Sequence, residues 1–162
     1  MEQFSIPGAG AIIVNNQNGC EYILLQERYK NDAPNENGLL EIPAGKIRAF
    51  ESIFDTLRRE VKEETGLDII EIEGENTASV YTANGYQVLN FEPFACSQNT
   101  KGTYPIMVFT FICRAEGTLL SHSNESKNYR WVEKSELRKL LIEPNRIYPM
   151  HRDTLLTYIE KE

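Results

Sequence analysis

The stretch GKIRAFESIFDTLRREVKEETGL, from Gly45 to Leu67, decides how this part of the chain folds. Ser52 is placed to cap a helix, with Asp55 in the capping-box position, and Gly66 is placed to end it in the left-handed conformation. An apolar stripe at helical spacing lies between them, formed by Phe54, Leu57 and Val61. The stretch therefore predicts an amphipathic helix over residues 52–65 that packs against the rest of the protein.

The same helix carries Glu60, Glu63 and Glu64 close together, although like charges at this spacing repel each other. One interpretation is a solvated helix face with ion pairs, in which Arg59 pairs with Glu63 and Glu51 lies near the positive helix N-terminus. The other is a site for a hard cation. Mg²⁺ prefers oxygen ligands and is often shared between carboxylates and substrate phosphates.

The composition narrows the function classes. The chain has 162 residues and a formal net charge of −7, which leaves no basic surface to hold nucleic acid through its phosphates. An acidic protein that handles phosphates would need metal ions between the two. The N-terminus shows no basic leader pattern, and no apolar run approaches a membrane span, so we expect a cytoplasmic protein that does not enter a membrane. Core packing is expected for the three cysteines, which are Cys20, Cys96 and Cys113.

Runs rich in β-branched and aromatic residues predict strands, and turn residues separate them. The predicted strands are 8–14, 21–27, 39–45, 67–73, 78–83, 87–95, 106–115 and 129–133. Residues 31–38 read as a loop, and leucines on one side predict helices at 135–142 and 151–162. Strands with interspersed helices indicate one α/β domain over residues 1–162, with a mixed sheet covered on both faces.

A wider pattern decides between the two interpretations of the glutamates. Gly45 is followed after five residues by Glu51, and after seven more by Arg59-Glu60-Val61; Glu63-Glu64 and Gly66-Leu67 complete the series. This series resembles the Nudix box in every defining position. The resemblance implies an α/β/α sandwich around a mixed β-sheet. It also implies an enzyme that uses Mg²⁺ or Mn²⁺ to hydrolyse a nucleoside diphosphate linked to another group.

The resemblance also implies roles for individual residues. Glu60 and Glu64 correspond to the main metal ligands, and Glu63 to a further ligand or a base. Arg59 corresponds to the residue that orients the glutamates. The backbone carbonyl of Ala44, in the loop before the box, corresponds to one that completes the metal shell.

Other parts of the chain leave choices open. Glu125, in the loop before the strand that carries Trp131, is either an additional base or ligand or a plain surface glutamate. His122 in the same loop is expected to be solvated. Phe50 stands where relatives often have glycine, and since a bulky residue disfavours positive φ, the loop 46–50 is expected to follow a different path. Thr56 and Leu57 replace two small residues, so helix packing is expected to differ.

The substrate is less well determined. The segment LLEIPAGKI resembles that of ADP-ribose and nucleotide-sugar pyrophosphatases, which favours a substrate of that kind. Tyr81 and Tyr86 leave a dinucleoside-polyphosphate hydrolase open, and nucleoside triphosphates, a ligand-sensing module without chemistry and an isoprenyl-diphosphate isomerase also remain. The residues expected to contact the substrate are Arg28, Glu41, Lys101 and Tyr104. A homodimer is also possible.

Overall fold

The computed structural model describes residues 1–161. The strands are β1 (Ile6–Gln17), β2 (Cys20–Arg28), β3 (Leu40–Glu41), β4 (Ala44–Lys46), β5 (Asp68–Ile72), β6 (Ser79–Ala83), β7 (Tyr86–Asn90), β8 (Ala95–Gln98), β9 (Ile106–Glu116) and β10 (Ser126–Glu133). The helices are α1 (Ile53–Thr65), α2 (Lys134–Ile142) and α3 (Pro149–Glu160), and a short 3₁₀ turn spans Pro34–Glu36.

Eight of the strands form one mixed sheet in the order β10-β2-β1-β9-β5. Strands β3, β4 and β8 pair with β2, β1 and β9 respectively. The pair β1 and β9 is parallel, from Ile6↔Ile106 to Ile13↔Cys113, and the other pairs are antiparallel. Strands β6 and β7 form a separate two-stranded hairpin. The predicted mixed sheet is therefore confirmed.

The sheet opens between β1 and β2. Their pairing runs from Gln17↔Cys20 to Val14↔Ile23, and beyond it the segment 40–46 lies between them. The segment pairs first with β2, where Gln26 faces Glu41, and then with β1, where Gly10 faces Ala44. The predicted strand 39–45 is therefore two short strands, because the segment changes partner at Pro43, which has no N–H to donate.

Alternating side chains of β1 and β2 enter two separate cores. Ile12 and Leu25 lie in the core that α2 and α3 cover, whereas Ile13 and Leu24 lie in the core that α1 covers. This alternation is the period-2 pattern of a strand that is buried on both faces. Helices therefore cover both faces of the sheet, and the expected α/β/α sandwich is confirmed.

Helix α1 begins and ends where the sequence predicts. The Ser52 Oγ accepts a hydrogen bond of 3.0 Å from the amide of Asp55, and Gly66 ends the helix at a φ of 83°. Thr56 and Leu57 are both buried, and Leu57 packs into the core beneath the helix. The Thr56 hydroxyl donates to the Glu51 carboxylate at 2.7 Å, so this departure from the usual small residue helps to hold a box glutamate.

Phe50 does not avoid positive φ as expected, and the different path of the loop 46–50 stays a prediction. Phe50 adopts a φ of 63°, in the left-handed region that favours glycine, and its side chain is fully exposed. An exposed ring has no packing to disturb, so the strain is confined to the backbone of this residue.

Three smaller differences concern elements and cysteines. The predicted strand 87–95 is split, because residues 91–94 leave the hairpin before β8 joins the large sheet. Helix α3 begins at Pro149 instead of residue 151, and Glu162 lies outside the described residues. Cys113 is buried as expected, but Cys20 is only partly buried and Cys96 is exposed. None of the described helices is long and apolar enough to cross a membrane.

Candidate active site

A cleft of about 990 Å³ lies where the segment 40–46 enters the sheet. Its walls come from β1, β2, α1 and β9 and from the loops around residues 32, 104, 124 and 148. Nine of the predicted site residues line it, namely Arg28, Glu41, Ala44, Arg59, Glu60, Glu63, Glu64, Tyr104 and Glu125. Lys101 does not line it and lies in an exposed turn, where its amide donates to Asn99. The fold therefore brings most of the predicted residues to one place.

Glu64 is a buried carboxylate of the cleft, with 5% of the residue exposed. Its Oε2 accepts hydrogen bonds of 3.1 Å from the side-chain amide of Gln26 and from the backbone amide of Ala44. Burial raises the pKa of the Glu64 carboxyl well above its ordinary value, and the Glu41 carboxylate raises it further. A cation bound beside Glu64 would oppose both effects.

Glu60 lies against the backbone at Gly45. A Cβ atom added at Gly45 would stand 2.0 Å from the Glu60 carboxyl carbon, so only glycine leaves room for this approach. Burial raises the pKa of the Glu60 carboxyl; the Arg59 guanidinium opposes this, and the charges of Glu63 and Glu125 add to it. Glu125, in the loop before β10, lines the same cleft as Glu60.

Arg59 contacts three glutamates of the box. It donates from Nε and Nη2 to the two oxygens of Glu51, both at 2.8 Å, and from Nη1 to Glu60 at 2.5 Å. The longer contact to Glu63 is 3.4 Å, and Glu63 is the more exposed carboxylate. Hydrogen bonds from Arg59 lower the pKa of the Glu51 carboxyl to about 2. A planar guanidinium with two-point contacts fixes the direction of its partners, as the orienting role requires.

The donor set has the chemistry of a hard-cation site. Glu64 is buried beside the backbone of Ala44, and Glu60 is half-buried beside Gly45; a cation between the two carboxylates would offset their like charges. In residues 1–161 no three His, Cys, Asp or Glu side chains are grouped so that they could hold a metal ion as they stand. The Glu60 carboxylate is instead turned to Arg59, and it is the amide of Ala44 that contacts Glu64. The carbonyl role of Ala44 stays a prediction.

Gln26 belongs to the site, although the sequence did not single it out. Its side-chain amide contacts Glu64 at 3.1 Å and the Ser126 hydroxyl at 2.7 Å, and Glu41 lies 3.4 Å away. Gln26 is fully buried and shares with Leu24 the face of β2 that α1 covers. The sequence signal that could have identified Gln26 is a polar residue on an otherwise apolar strand face.

The predicted substrate-contact residues that line the cleft lie on either side of β1: Arg28 on β2 and Glu41 on β3 are on one side, and Tyr104 just before β9 is on the other. Arg28 and Glu41 form a buried pair, with 2.6 Å between Nη1 and Oε2. Tyr104 precedes β9 and is partly exposed, and the Lys46 ammonium lies 5.2 Å from the centre of its ring. Glu125 pairs with Lys30 at 3.2 Å at the rim of the cleft.

Comparisons with known proteins agree with this geometry. A family model described as the NUDIX domain matches residues 5–153. Nudix hydrolase 8 of Arabidopsis thaliana is 43% identical over 61 residues, which are 38% of this chain and only 15% of the plant protein.

Two solved structures share the fold. A MutT NUDIX hydrolase from Burkholderia pseudomallei superposes with a TM-score of 0.65 at 17% identity, over 95% of this chain and 98% of that one. The NUDIX domain of Shewanella oneidensis NrtR, solved with ADP ribose, gives a TM-score of 0.65 at 15% identity, over 98% and 86%. At such identities the likeness extends to the fold alone.

Proposed function

The chain belongs to the NUDIX family, and we propose that it is a divalent-cation-dependent hydrolase that cleaves the diphosphate linkage of a nucleoside diphosphate joined to another group. The observation that carries the proposal is the pair formed by Glu60 and Glu64. Both line one cleft, and both have pKa values raised by burial. Strongly perturbed carboxylates in a cleft are typical of a functional site.

The chain's own residues have separable tasks in this reaction. Glu60 and Glu64 would hold Mg²⁺ or Mn²⁺, with Ala44 beside them. When bound, such an ion offsets the charge of the diphosphate and acidifies water. Arg59 keeps the carboxylates turned toward the cleft. Glu63 and Glu125 are the candidates to accept the proton of the attacking water, since both line the cleft and are more exposed than Glu64.

We favour ADP-ribose or a nucleotide sugar as the substrate. The PAGK segment before the box supports this choice, and so does the partly exposed Tyr104 ring, which offers a face on which a nucleobase could stack beside Lys46. The two tyrosines that favoured a dinucleoside polyphosphate, Tyr81 and Tyr86, are exposed on the β6–β7 hairpin and do not line the cleft. None of the three cysteines lines it either, which disfavours the isomerase reading.

The test is a panel assay with one matched pair of variants. The protein is incubated with ADP-ribose, nucleotide sugars, dinucleoside polyphosphates and nucleoside triphosphates, with Mg²⁺ or Mn²⁺, and the products are identified. Glu64→Gln keeps the shape of the side chain and is expected to fold normally but lose nearly all turnover. Glu136→Gln removes an exposed carboxylate on α2, outside the cleft, and is expected to behave as the unchanged protein.

The expected products from ADP-ribose are AMP and ribose 5-phosphate. Excess EDTA should abolish the reaction, and added Mg²⁺ or Mn²⁺ should restore it. Turnover that survives in Glu64→Gln, or in EDTA, would remove the proposal. Tight binding of ADP-ribose without any product would favour a ligand-sensing module instead.

A further inference from the structure

An aromatic and basic cluster joins the end of β2 to the start of α3. The Arg28 guanidinium lies 3.8 Å from the centre of the Tyr148 ring, and the His151 ring packs edge-on against Tyr148 with centroids 5.4 Å apart. All three side chains line the cleft, yet the box does not account for Tyr148 or His151. The Tyr148 ring therefore holds the cluster together, because it contacts both Arg28 and His151.

The cations in this part of the cleft are already neutralised. Arg28 donates to Glu41 at 2.6 Å and to Glu36 at 2.7 Å, and Lys30 pairs with Glu125 at 3.2 Å. Asp32 adds a further carboxylate to the wall. A phosphate placed here would meet more carboxylates than cations. Carboxylates do, however, accept hydrogen bonds from hydroxyl groups.

The cations around the box are different. Lys46 and Arg48 line the cleft on the side of β4, and within residues 1–161 neither forms an ion pair with a carboxylate. Lys46 lies instead beside the Tyr104 ring. The cleft is therefore asymmetric in charge: it can take anionic groups near β4 but favours an uncharged polar group near Arg28.

The Arg28 cluster also contains polar groups without a partner among the described residues, and of these only the Tyr148 hydroxyl is not fully buried. Among the described residues the buried Arg28 Nε and His151 Nδ1 have no hydrogen-bond partner, and the Tyr148 hydroxyl has none either. His151 is 2% exposed, and burial together with the charges of Arg28 and Lys30 lowers its pKa to about 3. The imidazole is therefore neutral, and buried polar groups without partners are rare in folded proteins.

We propose that Arg28, Tyr148, His151 and Asp32 form a subsite for the uncharged, hydroxyl-rich end of the substrate, the sugar beyond the diphosphate. The inference rests on the proposed function and narrows it: the preferred substrate carries a sugar, and not a third phosphate, on the distal side of the scissile bond. The Tyr148 hydroxyl and the Asp32 carboxylate are the groups that contact the sugar. His151 is a positioning residue, because it supports the Tyr148 ring from the side.

The test compares ADP-ribose with ATP, in which a phosphate replaces the sugar. The unchanged protein is expected to show a kcat/KM at least tenfold higher for ADP-ribose. Tyr148→Phe removes one hydroxyl and keeps the ring, so it should lower kcat/KM for ADP-ribose by about twofold to tenfold and leave ATP nearly unchanged. Asp32→Lys, at an exposed position, should raise kcat/KM for ATP. Tyr81→Phe, on the exposed hairpin, is the matched control and should change neither.

A binding measurement separates this inference from the proposed function. Calorimetric titration of the metal-free protein with ADP-ribose and with AMP needs no turnover. Tyr148→Phe should weaken the binding of ADP-ribose but not that of AMP. If the variant loses affinity as expected but the protein hydrolyses nothing, the subsite stands and the enzymatic proposal falls. If hydrolysis occurs but ATP is preferred, or if Tyr148→Phe affects both ligands equally, the subsite is refuted.

Discussion

Gly45→Ala tests whether Gly45 is needed because it leaves room for the Glu60 carboxylate or because of its own backbone conformation. The new Cβ would stand 2.0 Å from the carboxyl carbon of Glu60 and 2.2 and 2.3 Å from its oxygens. Ordinary contact begins near 3.4 Å, so the carboxyl carbon must move by about 1.4 Å, which is the difference between 3.4 and 2.0. The clash is with the end of a side chain and not with backbone, so the protein is expected to fold.

A displacement of about 1 Å at a reacting centre can cost about a hundredfold in rate. We therefore expect Gly45→Ala to lower kcat/KM by about a hundredfold, which corresponds to about 2.7 kcal/mol of transition-state stabilisation. The free energy of unfolding should change by no more than about 1 kcal/mol. The assays are steady-state hydrolysis of ADP-ribose with Mg²⁺ and urea unfolding followed by circular dichroism.

A double-mutant cycle identifies the cause. Glu60→Ala removes the group that the Cβ would meet, so Gly45→Ala should have little further effect in that background. The reasoning is refuted if Gly45→Ala alone keeps kcat/KM within twofold of the unchanged protein. It is equally refuted if the hundredfold loss recurs in the Glu60→Ala background, because the glycine would then act through the backbone.

Two further predictions concern stability. His151 is buried and neutral. Its pKa in the folded protein is about 3, below the ordinary 6.5, so the unfolded chain takes up the proton first as the pH falls. The free energy of unfolding therefore decreases as the pH drops from 6.5 toward 3. In His151→Gln, the free energy of unfolding measured with urea should depend less on pH over that range. An unchanged pH dependence would contradict a buried, neutral His151. Phe50→Gly should raise the free energy of unfolding by up to about 1 kcal/mol, because it relieves a left-handed backbone at a fully exposed position, whereas Phe50→Val should lower it. A less stable glycine variant would show that the exposed ring makes a favourable contribution.

The local elements of this protein follow from short stretches of its sequence. Ser52, Gly66 and the apolar stripe between them predict α1 because capping and helical periodicity depend on residues within a few positions of one another. The partnership of Arg59 with Glu63 follows from the same spacing, and the two-faced sheet follows from the alternation of strand residues. The resemblance to the family pattern added the expected metal-ligand roles of Glu60 and Glu64, which periodicity alone left undecided and which stay predictions.

Other features depend on contacts that no local pattern contains. Gln26 donates a hydrogen bond to Ser126, which lies 100 positions away in the sequence. Arg28 contacts Tyr148 only because β2 ends close to where α3 begins. Lys101 was expected in the cleft, but its turn points elsewhere, since loop direction depends on the strands that the loop joins.

The sequence by itself determined the helix that carries the carboxylates and the chemistry those carboxylates favour, because both arise from the order of neighbouring side chains. Only the tertiary structure decided which distant groups share the cleft with them, how far each carboxylate is removed from water, and which cations are left unpaired. These properties depend on the path of the whole chain: the opening between β1 and β2 admits the segment 40–46 and thereby brings Gln26, Glu41 and Glu64 together in one buried place.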